Sequence, residues 1–586
     1  MDVETGVKEL EEKREEECLQ YPRIVGVLSS IIKGHNRVLV YGSRDVGKSL
    51  YVRLAVLGLA YQSSATCEKK PEQKEENQRQ DRRKQKEKKQ YLPVFLQCPI
   101  TADVVLRLVN LARFHTENIP LSPHYDIEPI IVLDDAHLCS DEDLVRINSQ
   151  LPDTRLVLIA PSTAIGIKKS DYTSIKVLPL RFVEVAEMMD KNIRNFLREK
   201  HLEGCKRIAN LSNIDIVYEF LKSLRESLDH NNRDGYVFLM RLFRCYLICG
   251  GTAHGIKCVD DCLNNRKLEG FSHMFLKTVE EILEDARVYG KYYGGINYVL
   301  FQVALQAVMM YFAEKVMKKG LETDQEKLPR EVINKAQEIS LWWNIGQEHE
   351  DPRNAVLSAI NYLDNSGVVI GIKRYKEKEQ NKDKEEGKEQ NVVKYVFTDP
   401  RYLIGTYLYY THMVGNNEYP SAFGEVMRAI DDLVPIEPKQ QAQEKPETKD
   451  LSVKLGHYLE AITLSNLALG AYAMSVSCGR PEKDRPPLSK YVNYVKTNNY
   501  EIDALIKVGY TDEKSGKVNL GILFEVSRSF DKEHIDRCKK ALNGISNTFN
   551  DINVSYCIYA TLDGDKVDLR DDKVIVAPLP LALLLF

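Results

Sequence analysis

The chain of 586 residues is several times longer than the roughly 100–200 residues of a single domain, so about three or four domains are expected. Hydrophobic residues at 43% and charged residues at 28% are typical of globular proteins with ordinary cores. A net charge of -4 excludes a uniformly basic binder of nucleic acid, so any such contact must come from local patches.

No part of the sequence predicts secretion or a membrane. The N-terminal residues, MDVETGVKELEEKREEE, are charged from the start and lack the apolar core of a signal peptide. We expect no run of about 20 apolar residues that spans a bilayer. Residues 574–586 are apolar but short and contain two prolines, so they predict a buried strand and cap. A cytoplasmic protein without membrane contact is therefore expected.

Residues 1–184 alternate between strand-type and helical patterns, which predicts a mostly parallel sheet covered on both faces. Residues 1–20 predict a charged helix ahead of it. The strand-type runs lie at residues 37–41, 91–97, 129–133, 155–160 and 175–180, and the helical spacings at 49–62, 101–113 and 141–151. Residues 67–90 hold almost nothing that can be buried and predict a solvated insertion. Its basic half is either a nucleic-acid contact or, as we favour, a charged surface.

Three further regions follow this α/β core. Residues 185–345 are nearly all helical in pattern and predict a lid or adaptor. Residues 346–434 predict, in this order, a helix, a strand, a very polar excursion and a second strand, which is the layout of a winged helix. Residues 435–450 predict a linker. Residues 451–586 begin helical and continue with strands, which predicts a separate small α/β domain.

A complete phosphate-binding loop (P-loop) lies between the first predicted strand and the helix after it. Its glycines allow backbone amides to curl around a phosphate, and the helix directs its positive end at the anion. Lys48 is expected to reach the β- and γ-phosphate oxygens, and the Ser49 hydroxyl to ligate Mg²⁺. The sequence therefore predicts an ATP site formed by Gly42, Ser43, Arg44, Asp45, Val46, Gly47, Lys48 and Ser49.

Two adjacent acids end the third strand-type run, as in a Walker B element. Asp134 is expected to hold the Mg²⁺ shell, and Asp135 to polarise the attacking water as a general base. Acids also cap helices, but the P-loop upstream favours the catalytic interpretation. Further candidates near this site are Ser162, Thr163, His137 and Arg181. No arginine finger is identifiable from the sequence.

Four cysteines form two i,i+4 pairs, Cys245 with Cys249 and Cys258 with Cys262. Such thiols can hold zinc, or can pair as disulfides if the source is a hyperthermophile. The same spacing suits small buried residues on helices, and metal knuckles more often have two intervening residues. We expect buried, unlinked cysteines.

The order of these motifs resembles the archaeal-type AAA/STAND-like P-loop ATPases that carry a winged helix and a C-terminal restriction-endonuclease-like domain. The nucleotide motifs are GSRDVGKS and IIVLDDAH, and residues 175–180, IKVLPL, resemble the family's strand ahead of the lid. Residues 243–251, FRCYLICGG, are similar to its YL-x-x-GG-x-P turn, although Ala253 replaces the proline. Residues 395–400, YVFTDP, resemble the segment that closes the winged helix. The resemblance implies an ATPase module coupled to a DNA-associated module.

The resemblance also implies a metal site in the C-terminal domain. In active nucleases of this fold, carboxylates bind Mg²⁺ and a lysine helps to orient and deprotonate water. The matching carboxylates are Glu460, Asp503 and Glu525, but the lysine position is Ser527. Either a lysine from residues 532–540 takes this role, or the domain is a scaffold that binds without cutting. We favour the scaffold.

The leading functional hypothesis is an ATP-driven switch. Hydrolysis would move the helical lid, and the lid would reposition the winged helix and the C-terminal domain on DNA. Lysines in the predicted wing are candidate phosphate contacts, although their mixture with glutamates equally suits a solvated loop. The alternative is a nucleotide-regulated scaffold that binds proteins or a second copy of the chain. A lysine beside the C-terminal carboxylates favours the enzyme, and its absence favours the scaffold.

Overall fold

The computed structural model describes the chain in segments. The described residues are 23–68, 88–118, 125–163, 171–200, 210–231, 235–264, 272–290, 292, 295–338, 351–375, 392–414, 419–434, 448–477, 487–497, 499–512, 517–548, 552–571 and 573–586. Four predictions fall largely outside these residues: the N-terminal helix, the charged insertion, the polar excursion of the wing and the linker.

A five-stranded parallel sheet forms the N-terminal core, as the alternating pattern predicts. Its strands are β1 Arg37–Tyr41, β2 Lys88–Gln97, β3 Tyr125–Asp134, β4 Arg155–Ala160 and β5 Thr173–Lys176. The order is β2-β3-β4-β1-β5, so β4 lies between β1 and β3. Because the strands are parallel, the carboxyl ends of β1, β3 and β4 meet at one edge of the sheet, where ligands bind in such folds.

Helices cover both faces of this sheet. Their bounds are α1 Arg23–Gly34, α2 Lys48–Glu68, α3 Ala102–Asn118 and α4 Asp141–Gln150. Side chains alternate along β1, so Val38 and Val40 pack with α1 and α2, whereas Leu39 packs with α3 and α4. The apolar runs of the sequence are therefore buried on both sides, which is typical of parallel sheets.

Helices dominate the next region, as predicted. They are α5 Phe182–Met189, α6 Lys191–Glu199, α7 Ile214–Asn231, α8 Gly235–Cys249, α9 Ala253–Leu263, α10 Ser272–Glu284, α11 Ala286–Tyr289 and α12 Tyr298–Glu314. A π-helical segment, Lys315–Lys319, continues α12.

The expectation of unlinked cysteines in this region is wrong. Helices α8 and α9 are joined by two disulfides, Cys245–Cys262 and Cys249–Cys258. Each i,i+4 pair presents its two thiols on one face of its helix, and the short turn between the helices brings the two faces together. A third disulfide, Cys538–Cys557, lies in the C-terminal domain.

A three-stranded antiparallel sheet follows the helical region. Its strands are β6 Glu322–Asp324, β7 Val369–Lys373 and β8 Val392–Phe397, in the order β6-β8-β7. The helices around it are α13 Leu328–Glu338, α14 Pro352–Ser366, α15 Pro400–Val414 and α16 Tyr419–Leu433. Asp351 caps the start of α14 ahead of Pro352, and Gly367 ends the helix with a φ of 78°, as helix-stop glycines do.

The C-terminal part of the chain forms a six-stranded mixed sheet with a long helix on each face. Its helices are α17 Thr448–Ser477, α18 Lys532–Thr548 and the short α19 Leu579–Leu583, and its strands are β9 Val492–Lys496, β10 Glu501–Asp512, β11 Lys517–Ser527, β12 Val554–Thr561, β13 Asp568–Arg570 and β14 Val574–Pro578. The order is β13-β14-β12-β11-β10-β9. Helix α17 packs on the face that carries Ile522 and Phe524, and α18 on the face that carries Leu523. The predicted strand and cap at residues 574–586 are confirmed as β14 and α19.

Among the described residues, two helices are long and apolar enough to cross a membrane, which corrects the expectation of no such segment. They are Tyr298–Lys319 and Leu455–Val476, and 78% and 83% of their apolar windows are buried inside the protein. Both contribute to a hydrophobic cluster that extends from α1 to Phe586. Their apolar character is therefore explained by packing between the helical region and the two C-terminal sheets.

Candidate functional site

The P-loop connects β1 to α2 at the ligand-binding edge of the sheet. Its backbone has a positive φ at Asp45 (63°) and at Gly47 (84°). Gly42 lies so close to Val177 that a Cβ atom would be 2.0 Å from the Val177 carbonyl oxygen. The two glycines of the motif are thus required by close approach and by backbone conformation. This curled backbone ahead of a helix N-terminus fits a phosphate.

Lys48 is the first residue of α2 and is 9% exposed. Its Nζ donates hydrogen bonds to the carbonyl oxygens of Ser43 at 2.7 Å and Gly42 at 3.0 Å. Burial, followed by the nearby charge of Arg44, lowers the pKa of Lys48 to about 8. An anion in the loop would favour the charged form and would give the ammonium oxygen partners in place of these carbonyls.

Ser49 and Asp134 stand together where a divalent cation is expected. The Ser49 hydroxyl donates to the Asp134 carboxylate over 2.8 Å, and Arg53 lies 3.9 Å from the other oxygen of Asp134. Hydroxyl and carboxylate oxygens, completed by phosphate and water, are ligands that Mg²⁺ prefers. These two residues therefore fit the predicted magnesium site.

Asp135 follows in a left-handed conformation, with a φ of 51°. Its carboxylate is 29% exposed and accepts hydrogen bonds from Gln97 at 2.7 Å and Arg44 at 3.5 Å. His137 lies beside it, buried and stacked on Tyr289. Asp135 is thus held at the sheet edge and is still open to solvent.

The other sequence candidates are distributed differently. Ser162 is buried just after β4, between the P-loop strand and the strand that ends in Asp134. Thr163 follows it and is partly exposed. Arg181 forms an ion pair with Glu184 and donates to the backbone carbonyl of Phe586. The contacts of Arg181 therefore link the start of α5 to Phe586, which follows α19.

The variable P-loop residues contact parts of the chain more than 200 residues away, which the sequence did not indicate. The hydroxyls of Ser43 and Tyr402 are 2.7 Å apart, and Tyr402 also donates to the Arg44 carbonyl oxygen at 2.7 Å. The Arg44 guanidinium binds Asp285 at 2.7 Å. Asp285 is 2% exposed and accepts a second hydrogen bond from Tyr362 on α14.

Asp45 is the third variable P-loop residue with a distant partner. Its carboxylate accepts a hydrogen bond from Thr252 at 3.1 Å, contacts the ring of His254, and lies 3.6 Å from Arg401. The hydrogen bond to Asp45 is the main cause that raises the pKa of His254. Thr252 and His254 follow the GG turn, and Arg401 directly follows the YVFTDP segment, both of which the sequence singled out.

Asp399 ties these two segments together. It is fully buried and accepts hydrogen bonds from the backbone amides of Gly251 at 2.6 Å and Arg401 at 2.8 Å. A Cβ at Gly250 would be 1.9 Å from its carboxylate, so this turn requires glycine. Burial raises the pKa of Asp399 to about 7. The GG turn and the start of α15 are thus fixed relative to each other next to the P-loop.

An apolar cleft lies beside the loop. It is lined by Ile24 and Val27 of α1, by Leu178 and Pro179, and by Leu469 of α17. Val177, the neighbour of Leu178 in the chain, donates to the Tyr41 carbonyl oxygen at 2.7 Å, at the end of the strand that leads into the P-loop. A larger cavity of about 420 Å³ lies elsewhere, between α6, α7 and α8.

The C-terminal carboxylates lie near one another, but each is already engaged. Glu525 is 1% exposed and is paired with His534 at 2.7 Å and Arg537 at 3.2 Å. Glu460 is paired with Lys394 at 2.8 Å. Burial, and then the charges of Glu525 and Glu460, raise the pKa of Asp503 well above its usual range. Within the described part of the chain, no three or more His, Cys, Asp or Glu side chains are placed to hold a metal ion.

Ser527, which stands at the lysine position, is also engaged. Its hydroxyl donates to the Ser529 carbonyl oxygen at 2.6 Å and lies 2.8 Å from the Tyr559 hydroxyl. Lys539, one of the expected replacements, is paired with Asp571. Within the described residues, Lys394 on β8 contacts one of these carboxylates, Glu460, at 2.8 Å. Sequence reasoning missed this lysine because β8 belongs to the preceding sheet.

Comparisons with known proteins add similarities to solved structures. No protein-family model matches the chain, and no curated protein matches it. Similar structures are the Walker-type ATPase paby2304 of Pyrococcus abyssi (12% identity, 67% of this chain, 95% of that chain, TM-score 0.29), Cdc6p from Pyrobaculum aerophilum (12%, 69%, 93%, 0.21) and a DNA replication initiation factor (12%, 70%, 93%, 0.20). Similarity of this degree carries no conclusion about activity. The parallel sheet and the loop after β1 together define a P-loop nucleotide-binding fold.

Proposed function

We propose that the chain binds ATP with Mg²⁺ at the P-loop and hydrolyses it. The observation that carries this proposal is the P-loop with Lys48 at its helix end and the Ser49–Asp134 hydrogen bond at 2.8 Å. Ser49 and Asp134 would hold Mg²⁺, which supplies positive charge against the phosphate oxygens. Lys48 would exchange the carbonyl oxygens of Gly42 and Ser43 for phosphate oxygens, so its ammonium stays fully hydrogen-bonded.

Asp135 is suited to orient the attacking water. Its carboxylate is exposed enough to accept a hydrogen bond from water and to take up a proton as attack proceeds. Gln97 fixes one of its oxygens, and Arg44 lies near the other. Movement of Arg44 toward phosphate would release the second oxygen for the water.

The apolar cleft beside the P-loop would receive the adenine base. Ile24, Val27 and Leu178 offer apolar contact to a flat ring, and Leu178 follows Val177, whose carbonyl oxygen lies against Gly42 of the phosphate loop. Ligand sites of this kind are mostly apolar with a few polar groups that fix orientation. Glu184 and Lys176 are the polar groups at its rim.

We further propose that nucleotide sets the position of the C-terminal half of the chain. Ser43, Arg44 and Asp45 belong to the loop that must adjust around phosphate, and each contacts a side chain from the helical region or from α15. A ligand shifts an equilibrium only through contacts that differ between two states. We propose that these three contacts change when phosphate enters the loop and so supply such a difference.

Direct binding measurements test the ATP site. Lys48→Ala should weaken ATP binding by at least about tenfold, because a charge-assisted phosphate contact contributes roughly 1.5–3 kcal/mol. Asp134→Ala combined with Asp135→Ala should abolish turnover. Unchanged ATP affinity in Lys48→Ala would place the nucleotide site elsewhere, and unchanged turnover in the double variant would remove these acids from catalysis.

Tyr402→Phe tests the coupling. This change deletes the hydroxyl that contacts Ser43 and the Arg44 carbonyl, and it leaves the buried ring in place. We expect ATP to alter hydrogen exchange across α15 in the parent and to alter it much less in Tyr402→Phe. Tyr409→Phe, whose hydroxyl contacts Gln306 instead, is the matched control. An equal response in both variants would refute the coupling.

The partner of the C-terminal half is proposed to be DNA. We propose that residues 346–434, which contain α14, β7 and β8, form a winged helix, and that residues 451–586 form a nuclease-like fold. A second candidate is a nucleotide-regulated scaffold, which the engagement of Ser527 and Glu525 by their own neighbours favours. Binding and cleavage assays on labelled single- and double-stranded DNA distinguish the DNA switch from the scaffold. They are run with Mg²⁺ or Mn²⁺, with and without ATP. Binding without cleavage supports the DNA switch, and neither binding nor cleavage supports the scaffold.

A further inference from the structure

The three-stranded sheet and the C-terminal sheet meet edge to edge. Beyond the end of β7, the Tyr375 amide donates to the Tyr494 carbonyl oxygen on β9 at 2.8 Å, and Arg374 forms a parallel bridge to Tyr494. The side chain of Asn493 donates to the Lys373 carbonyl oxygen at 2.9 Å. Backbone pairing therefore continues from one sheet into the other, so the two sheets share one boundary.

A chain of alternating charges crosses this same boundary. Lys394 of β8 contacts Glu460 of α17 at 2.8 Å and Glu501 of β10 at 3.5 Å. Lys496 of β9 contacts the same Glu501 at 3.2 Å and Glu322 of β6 at 2.8 Å. Lys394 thus ties the three-stranded sheet to α17 and β10, and Lys496 ties β9 to both β10 and β6. We name these five residues the Lys394 clasp.

Lys394 is the buried member of the clasp. Its side chain is 4% exposed, and its ammonium lies 4.5 Å from the centre of the Tyr494 ring. Its ammonium contacts the carboxylates of Glu460 at 2.8 Å and Glu501 at 3.5 Å, so it lies where it can offset the negative charge of the C-terminal carboxylates.

We propose that Lys394 is an internal counter-ion that replaces a divalent cation at Glu460, Asp503 and Glu525, and that it clasps the two sheets into one body. A lysine beside these carboxylates would serve catalysis if water and phosphate could reach it. Lys394 and Glu525 are too buried for that, and Glu525 is already paired with Arg537. The C-terminal domain would then act by binding and by moving with the three-stranded sheet, without metal-dependent cleavage.

Thermal unfolding with Mn²⁺ as the probe tests the replacement. We expect Mn²⁺ to leave the melting temperature of the nucleotide-free parent unchanged. Lys394→Met should melt about 5 °C or more below the parent, because it leaves buried carboxylates uncompensated, and Mn²⁺ should restore part of that loss. Lys496→Met, at the exposed end of the clasp, should show a small loss and no response to Mn²⁺.

A double-mutant cycle keeps the proposal testable if Lys394→Met is too unstable to purify. Lys394→Met with Glu460→Gln removes both partners, so the double variant should melt above Lys394→Met alone. Additive losses would overturn the clasp. Three results would overturn the replacement of a divalent cation by Lys394. The first is a Mn²⁺ response of the parent that Glu525→Gln abolishes, and the second is the lack of any Mn²⁺ response in Lys394→Met. The third is DNA cleavage by the parent that Lys394→Met abolishes. No nucleotide is used, so failure here is distinct from failure of the ATP site.

Discussion

At the scale of single residues, Gly42 has no room for a side chain. A Cβ there would meet the Val177 carbonyl oxygen at 2.0 Å, and the nearest atoms all belong to the Val177 backbone, so no flexible side chain can move aside. Gly42→Ala should therefore lower the free energy of unfolding by about 1–3 kcal/mol and weaken ATP binding. Gly58→Ala on α2, where a Cβ meets nothing within 4 Å, is the control. Denaturant unfolding of the two variants decides, and equal stabilities would contradict the geometry.

His137 makes the stability depend on pH. Burial, followed by the charges of Arg44 and Lys48, lowers the pKa of His137 from 6.5 to about 3. Below pH 6.5 His137 becomes protonated in the unfolded chain, whereas in the folded protein it stays neutral down to about pH 3. The free energy of unfolding should fall across this window by up to about 1.4 kcal/mol per pH unit.

The variant His137→Gln cannot take up this proton, so its stability should decline less steeply toward low pH. His254→Gln is the comparison of opposite sign. The Asp45 hydrogen bond raises the pKa of His254, so the contribution of His254 is present at low pH and is lost as pH rises. Denaturant midpoints measured from neutral pH to about pH 4 give the slopes. Parallel curves for the parent and His137→Gln would contradict this account.

At the scale of elements, the α8–α9 hairpin is fixed covalently. The Cys245–Cys262 disulfide closes a loop with a sequence separation of 17, which in the chain-entropy model contributes about 3 kcal/mol. Cys245→Ala with Cys262→Ala should therefore lower the free energy of unfolding by about that amount without reductant. With reductant, the parent should lose most of its advantage over the variant. A thiol titration that finds these cysteines free in the purified parent would contradict the assignment.

The same hairpin shows why the sequence alone predicts unlinked cysteines here. Each i,i+4 pair is compatible with plain burial when its helix is considered alone. Only the turn Gly250–Gly251, which Asp399 holds by the Gly251 amide, brings the two cysteine faces together. The signal was present as two matched pairs on successive helices, but its meaning depended on the angle between those helices.

At the scale of the whole molecule, Phe586 joins distant regions. Its side chain is 1% exposed and packs edge-on against Phe524 with ring centres 6.2 Å apart, and Arg181 binds its carbonyl oxygen. Phe586→Ala should cost about 3–5 kcal/mol of unfolding free energy, as for other buried aromatics. Phe530→Ala is the matched control, because Phe530 is 52% exposed. Equal effects in chemical denaturation would show that this junction adds no stability.

The sequence by itself determined the parts that are local. The strand, P-loop and helix around Lys48 are contiguous, and hydrophobic periodicity identifies the neighbouring strands and helices. The P-loop motif predicts glycine at positions 42 and 47 for the reason that the structure shows, namely the limited space and the positive φ angles of this one loop. For the same reason the acids after β3 could be placed at the sheet edge from the order of elements alone.

Only the tertiary structure decided which distant residues meet. Tyr402, Asp285 and Arg401 reach the P-loop, and Lys394 reaches Glu460, because of how helices and sheets pack across the whole chain. Such pairs leave no periodic pattern in the sequence. A charged or aromatic residue that contacts a distant partner cannot be told from one on a solvent-exposed face until the partner is known. A contact between elements depends on packing angles and strand register, and a shift of one residue in a strand moves each side chain to the opposite face.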